Sequence, residues 1–330
     1  MIFWLMEIIK VEQFLKQKNK KDKLLSKKIL FMGTPDYATT IFKELLKSKY
    51  EIVGLFTQPD KPVGRKQILT PPHIKQYCLD ENLDIPIFQP LKLRNNEEAK
   101  VQIESLRPDF IIVAAYGQIL PKEILNIAPC INLHASLLPK YRGASPIQES
   151  LLNDDNYTGV TSMLMEEGLD SGDILGFQYL KITSTMEVSE AFEKLSNIAA
   201  KLTLTTLDNF ENIKPLKQND SEVSFCKKIK KEHGLVDFSD AKKLILKYKA
   251  YSYWPGVFLS SELKLKDIEL NEELSINNPG EILEINKDYI LLACKKGTLK
   301  IKTLQAPSKK AISSVDFVRG QRLEVGKIIT

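Results

Sequence analysis

Short apolar runs alternate with longer amphipathic segments between residues 28 and 210, and this alternation restricts the fold more than any other feature. The apolar runs predict strands at 28–33, 52–56, 85–88, 109–115, 159–165 and 174–180. Helical spacing predicts helices at 40–46, 73–82, 97–106 and 188–210, and the polar stretch at 58–72 is expected to be a long loop. This order of strands and helices predicts an α/β fold with a Rossmann-like, doubly wound and mostly parallel sheet.

The C-terminal third has a different pattern. After a helical segment at 241–251, short strands are predicted at 256–259, 263–266, 281–285, 289–293 and 298–303. Short strands separated by turns are typical of a small β-barrel. Because the stretch before them is polar and poor in strand signals, we predict a main domain at 27–210, a linker at 211–232 and a second, smaller domain at 233–330.

Residues 1–26 form a separate, basic N-terminal extension in this division. Glu7 and Lys10 interrupt its apolar start well before the ~20 apolar residues that a membrane-spanning helix needs. A secretory signal is not expected, because the segment has neither a basic leader nor a small-residue cleavage site. The four cysteines are far apart, which predicts neither a disulfide framework nor a zinc site but reduced thiols in a cytoplasmic protein.

The net charge is unevenly distributed along the chain. Residues 29–220 carry 19 basic and 25 acidic side chains, whereas residues 221–330 carry 20 basic and 14 acidic ones. An acidic half followed by a basic half suits a polyanionic partner bound by the second domain. An ordinary solvated surface has the same composition, so charge alone leaves both interpretations open.

Three side chains with complementary chemistry surround the end of a short apolar run at 130–133. Asn132 and His134 are two residues apart, so on a strand both side chains project from one face. A carboxamide donates a hydrogen bond to a developing oxyanion, and an imidazole carries a proton near neutral pH. Asp170 is expected to return to this site and orient His134. Taken singly, each residue is more often a turn or structural residue; together they indicate acyl-transfer chemistry.

The residues around this group resemble the 10-formyltetrahydrofolate-dependent formyltransferase family. The resemblance is carried by the string at 132–139 (Asn-Leu-His-Ala-Ser-Leu-Leu-Pro), by 141–147 and by 168–173. It implies that Asn132, His134 and Asp170 are the catalytic residues. It also implies an OB-like second domain, 10-formyltetrahydrofolate as the formyl donor, and no metal. The residues that it assigns to the folate site are Ser136, Leu137, Leu138 and Pro139.

A second string narrows the resemblance. The segment at 56–66, with 33–36 upstream and 252–256 near the C-terminus, resembles the members of the family that formylate methionyl-tRNA. In those members a loop at this position reaches the acceptor end of the tRNA, and Arg65 matches its functional arginine. The resemblance therefore implies that Lys61, Arg65 and Lys66 contact initiator methionyl-tRNA. We expect the protein to be a monomer without a membrane partner.

Three alternatives remain open. A sugar-nucleotide formyltransferase shares the catalytic string, but a nucleotide sugar does not need the long basic loop at 58–71. A nicotinamide-binding oxidoreductase is disfavoured because no Gly-x-Gly-x-x-Gly follows the first strand. A non-catalytic RNA-binding protein is disfavoured because Asn132, His134 and Asp170 are all present.

Overall fold

The computed structural model describes residues 26–64 and 66–329, so Arg65 and nearly all of the predicted extension at 1–26 lie outside the described residues. In chain order the elements up to residue 209 are β1 (Lys28–Gly33), α1 (Asp36–Leu46), β2 (Glu51–Phe56), β3 (Lys61–Val63), β4 (Ile68–Thr70), α2 (His73–Asp80), β5 (Ile87–Phe88), α3 (Glu97–Leu106), β6 (Phe110–Ala114), α4 (Lys122–Leu125), β7 (Cys130–His134), β8 (Arg142–Gly143), α5 (Pro146–Leu152), β9 (Tyr157–Leu164), β10 (Ile174–Lys181) and α6 (Val188–Asn209).

Seven of these strands form one sheet in the order β10-β9-β7-β6-β1-β2-β5. In this sheet order the five strands β7, β6, β1, β2 and β5 are parallel to their neighbours. Strand β9 runs antiparallel to β7. From β1 the chain moves outward to β2 and β5, and it then continues on the other side with β6 and β7. Because crossovers between parallel strands are almost always right-handed, this order predicts helices on both faces of the sheet. In open α/β sheets, ligands bind where the strand order reverses in this way, at the carboxyl ends of the central strands.

The elements after residue 209 are β11 (Phe225–Cys226), α7 (Ala241–Tyr251), β12 (Val257–Phe258), β13 (Lys264–Ile276), β14 (Ile282–Ile285), β15 (Ile290–Ala293), β16 (Lys296–Gln305), β17 (Ile312–Ser313) and α8 (Ser314–Gly320). Strands β12 to β17 form an antiparallel sheet around a core that includes the fully buried Ile282, Leu292 and Ile301. The two sheets confirm the predicted fold class, a Rossmann-like, mostly parallel sheet with a second, smaller OB-like β domain.

The chain divides into two compact units, each built from interrupted segments. One unit contains the described residues up to His134, together with Val160–Gln178 and Ser196–Gln218. The other contains Ala135–Gly159, Tyr179–Leu195 and the residues from Asn219 onward. The domain boundaries expected from the sequence stay a prediction, which limited proteolysis would test.

The structure departs from the expected secondary structure at several places, which include the unpredicted helices α5 and α8. The stretch predicted as a loop contains the hairpin of β3 and β4, in which Lys61 pairs with Thr70. Its strand residues are all exposed, and their apolar members, Val63, Ile68 and Leu69, are too few to predict two strands. Strand β13 was predicted only at 263–266 but runs to Ile276. Register shifts after Leu270 and after Glu272 interrupt the alternation by which a strand is read from a sequence.

Candidate active site

The carboxyl end of β7 carries Asn132 and His134. The side chains are buried, with 9% and 6% of their surface exposed. β7 lies between two paired neighbours, since Asn132 is in register with Val113 of β6 and with Met163 of β9. A strand paired on both sides has little freedom to move, so the carboxamide and the imidazole are held in fixed positions on one face of the sheet.

The carboxylate of Asp170 lies beside both side chains. Asn132 Nδ2 donates a hydrogen bond of 3.2 Å to Asp170 Oδ1. Asp170 Oδ2 lies 3.7 Å from His134 Nδ1, an ion-pair distance that is longer than a hydrogen bond. The Asp170 side chain is 14% exposed, so its charge acts on the imidazole more strongly than it would in water. The structure thus brings together the three residues that the family resemblance identifies as catalytic.

Asp170 approaches β7 from a tight loop between β9 and β10. The loop is closed by a 2.9 Å hydrogen bond from the Leu164 amide to the Asp173 carbonyl oxygen. Asp170 has a φ of 48°, a left-handed conformation that aspartate adopts more readily than most residues. A Cβ atom on Gly172 would lie 1.8 Å from the Leu164 carbonyl oxygen, so only glycine fits there. Packing, as well as chemistry, therefore accounts for the Asp-Ser-Gly-Asp string.

Two polar residues that the sequence analysis did not single out hold this site. Gln218 Nε2 donates to the carbonyl oxygens of Asp170 and Gly172, both at 2.8 Å. The hydroxyl of the buried Tyr37 donates to the Leu133 carbonyl oxygen at 3.1 Å. Burial raises the pKa of Tyr37, which keeps this donor protonated. Gln218 lies in the stretch predicted as a linker, where no sequence pattern marks it.

The four residues assigned to the folate site follow β7 directly and form a turn. Ser136 Oγ donates to the Lys140 carbonyl oxygen at 2.6 Å, which closes the turn. Ser136 and Leu138 are buried, whereas Leu137 and Pro139 are half-buried. Partly accessible apolar side chains beside backbone polar groups are what a flat heterocyclic ligand requires. In this respect the residues present fit a folate.

The loop residues assigned to tRNA lie on or beside the β3–β4 hairpin. Lys61 and Lys66 are exposed, and Arg65 lies outside the described residues. In the described part of the chain, neither lysine makes a polar contact with Asn132, His134 or Asp170. The structure therefore places these basic side chains on a separate surface element.

A polar cluster anchors the start of this hairpin. Lys75 Nζ lies 2.9 Å from both carboxylate oxygens of Asp60 and 2.7 Å from Gln89 Oε1. Gln89 Nε2 donates to Asp60 Oδ1 at 2.7 Å and to the Gln58 carbonyl oxygen at 2.8 Å. Hydrogen bonds from Gln89 and Lys75 lower the pKa of Asp60 below its ordinary value.

This cluster leads to a prediction about pH. Since the pKa of Asp60 is lowered in the folded state, the stabilisation is present above the unfolded pKa of about 3.9 and is lost as the pH falls through the folded value. At pH 7 we expect Asp60→Asn to speed proteolysis within the loop at 58–72, and the difference from the parent protein to shrink below about pH 3. Asp84→Asn, at an exposed position, is the matched control. Equal cleavage rates for all three proteins at pH 7 would contradict the anchoring role.

Three further features of the described ranges concern metal ligands, cysteines and long helices. No group of three or more His, Cys, Asp or Glu side chains within 26–64 and 66–329 is placed to hold a metal ion. The four cysteines are buried free thiols. Among the helices that the structure describes, none is long and apolar enough to cross a membrane.

Comparisons with known proteins agree along the chain. The formyl transferase family matches residues 27–207, and the formyl transferase C-terminal domain family matches residues 228–322. The methionyl-tRNA formyltransferase of Nitratiruptor sp. is 57% identical over 299 residues, which are 91% of this chain and 98% of that protein. The methionyl-tRNA formyltransferase of Wolinella succinogenes is 53% identical over 303 residues, 92% of this chain and 99% of that protein.

A solved structure provides a similarity of fold alone. WlaRD, a sugar 3N-formyltransferase crystallised in the presence of dTDP and 5-N-formyl-THF, superposes with a TM-score of 0.63 at 18% sequence identity. The match covers 86% of this chain and 99% of that one.

Proposed function

The chain belongs to the formyl transferase family, and we propose that it transfers the formyl group of 10-formyltetrahydrofolate to the α-amino group of initiator methionyl-tRNA. The product is N-formylmethionyl-tRNA, which is used in translation initiation. The observation that carries the proposal is the contact of one carboxylate, Asp170, with both Asn132 and His134 at a strand end. Relatives more than half identical over nine tenths of the chain support methionyl-tRNA as the acceptor.

Asn132 is the proposed oxyanion donor. The Asn132 carboxamide has two N–H groups. One donates to Asp170, and the other can donate to the formyl oxygen as that oxygen gains negative charge. When bound, the folate supplies a formyl carbon that an amine can attack. Because Asn132 is buried and held by a paired strand, its dipole needs no reorganisation as the charge develops.

His134 and Asp170 are the proposed acid–base unit. Their separation of 3.7 Å orients the imidazole with Nδ1 towards the carboxylate, and the imidazole is the group that transfers the proton. In the reaction a bond forms between the amine nitrogen and the formyl carbon, and the bond from that carbon to N10 breaks. The His134–Asp170 pair takes the proton that the amine loses and delivers it to N10. An amine nucleophile needs no activated serine or cysteine.

The decisive assay for the acceptor uses the purified protein with 10-formyltetrahydrofolate and either methionyl-tRNA or a dTDP-linked amino sugar. We expect formylation of methionyl-tRNA only. The sugar-nucleotide alternative rests on a fold that WlaRD shares, and formylation of the amino sugar alone would support it instead.

Arg65 provides a prediction about the tRNA site. We expect Arg65→Ala to lower kcat/KM for methionyl-tRNA by about 10- to 100-fold, the effect of losing a hydrogen bond to a charged group, with an unchanged KM for the folate. Arg65→Lys is expected to recover only part of the loss, because an ammonium group lacks the planar fork of a guanidinium. Lys201→Ala, on the exposed side of α6, is the control. Equal kcat/KM values in all four proteins would remove Arg65 from the tRNA site.

The same proposal assigns tRNA contacts to Lys61 and Lys66, and folate contacts to Ser136, Leu137, Leu138 and Pro139. A monomeric state and a cytoplasmic location are also part of it. Light scattering on the purified protein measures the first, and cell fractionation measures the second.

A further inference from the structure

The chain segment that follows α6 returns to the loop that carries Asp170. Leu216 pairs with Ile174 at the start of β10 through two backbone hydrogen bonds of 2.8 and 2.9 Å. Two residues later, Gln218 Nε2 donates to the carbonyl oxygens of Asp170 and Gly172. The Gln218 side chain is half-buried, whereas its neighbours Lys217 and Asn219 are exposed. Gln218 is thus the one residue of this short run that is directed to the loop.

Both hydrogen bonds from Gln218 end on the same turn of backbone. They bracket Ser171, whose hydroxyl instead donates to Glu166 Oε1 at 2.6 Å. The left-handed φ of Asp170 is less favourable than extended or helical backbone for a residue with a Cβ atom, so such a turn persists only where its surroundings hold it. Two N–H donors from one amide hold the 170–171 and 172–173 peptide groups and therefore the direction of the Asp170 carboxylate.

We propose that Gln218 is a positioning residue for the reaction, acting through Asp170 and without touching either substrate; the proposal rests on the proposed function. A carboxylate that leaves its position loses both the 3.2 Å hydrogen bond from Asn132 and the 3.7 Å approach to His134. Both are needed in the chemical step. Gln218 therefore affects turnover and leaves substrate binding unchanged.

The test compares three substitutions at this position. Gln218→Ala removes both donors, and we expect kcat to fall by about 10- to 100-fold, the range for a displaced reacting group. Gln218→Glu keeps the length but offers carboxylate oxygens to two carbonyl oxygens, so its kcat should be no higher than that of the alanine variant. Gln218→Lys keeps N–H donors and should recover part of the rate. Lys217→Ala is the control and should retain the wild-type rate.

Two readouts separate positioning from a general loss of structure. The KM values for the folate and for methionyl-tRNA should stay within about twofold of wild type, since uniform binding is not affected. In an Asp170→Ala background, Gln218→Ala should change kcat little, because the two residues act on the same step. A kcat for Gln218→Ala within twofold of wild type would overturn the proposal, and so would an undiminished effect in the Asp170→Ala background.

Hydrogen exchange tests the structural part without any assay of activity. The Leu164 amide donates to Asp173, and the Met165 amide donates to the Cys130 carbonyl oxygen at 2.8 Å. We expect Gln218→Ala to speed exchange at these two amides while the amides of β6 keep their protection. Unchanged exchange at Leu164 and Met165 would show that Gln218 does not hold the loop. A wild-type protein that fails to formylate methionyl-tRNA would instead refute the proposed function, whatever the exchange result.

Discussion

Asn132→Ala is expected to lower kcat for formyl transfer by about 10²–10³, the usual effect of removing one oxyanion donor. The hydrogen bond to the formyl oxygen strengthens only as negative charge develops, so KM for the folate and for methionyl-tRNA should change little. The substitution also removes the donor that Asp170 Oδ1 accepts, which adds to the loss. Steady-state rates with both substrates varied measure the two effects separately.

The matched control is Asn126→Ala, which removes an exposed carboxamide at the end of α4. That variant should retain wild-type kcat. If Asn132→Ala stays within a few-fold of wild type while its melting temperature is unchanged, the formyl oxygen is stabilised by another group, and Asn132 leaves the mechanism.

His134→Ala and Asp170→Ala are each expected to be as severe as Asn132→Ala, and the double substitution should be hardly worse than either one. The reason is that an imidazole without its carboxylate and a carboxylate without its imidazole both fail at the same proton transfer. Single-turnover rates, with the enzyme in excess over methionyl-tRNA and the folate saturating, measure this step directly.

The substitution Asp170→Asn distinguishes the effect of the negative charge on kcat from the effect of the side chain's shape. The new side chain can still accept the hydrogen bond from Asn132 Nδ2, but it removes the negative charge 3.7 Å from His134 Nδ1. A large loss in this variant assigns the effect to the charge. If the losses in kcat of His134→Ala and Asp170→Ala multiplied in the double variant, a common role would be contradicted. Independent residues contribute additively to the free energy of activation.

Much of the fold is visible in the sequence because parallel strands are buried on both faces. The residues of β6 are apolar without interruption and all are buried, so the run at 109–115 predicts that strand almost to the residue. The hairpin of β3 and β4 lacks such an uninterrupted run, because its apolar strand residues are only Val63, Ile68 and Leu69 and all of its strand residues are exposed. It forms through backbone pairing, which depends on the turn between the strands and not on apolar periodicity.

The candidate site, like the fold, could be predicted from the sequence only in part. The two-residue period of a strand places Asn132 and His134 on one face, and their chemistry is apparent from their types. Asp170 is expected at this site from its chemistry and from the family resemblance, but only the fold shows that its carboxylate lies beside both Asn132 and His134. Gln218 could not be predicted, because a glutamine in a polar stretch has no periodicity and its partners are main-chain carbonyl groups. Such groups are present at every residue and leave no trace in the sequence.

The interruption of the two units along the chain sets an order for folding during synthesis. The unit with the parallel sheet has all its segments once Gln218 has been made, but residues 135–159 and 179–195 belong to the unit that ends at the C-terminus. The partner of Asp154, for example, is Lys242, at 2.8 Å. At about 5–20 residues per second, residues 219–330 take roughly 6–22 s to synthesise. For those seconds the early segments are on the nascent chain without their partners, which makes them the places where chaperones or aggregation compete with folding.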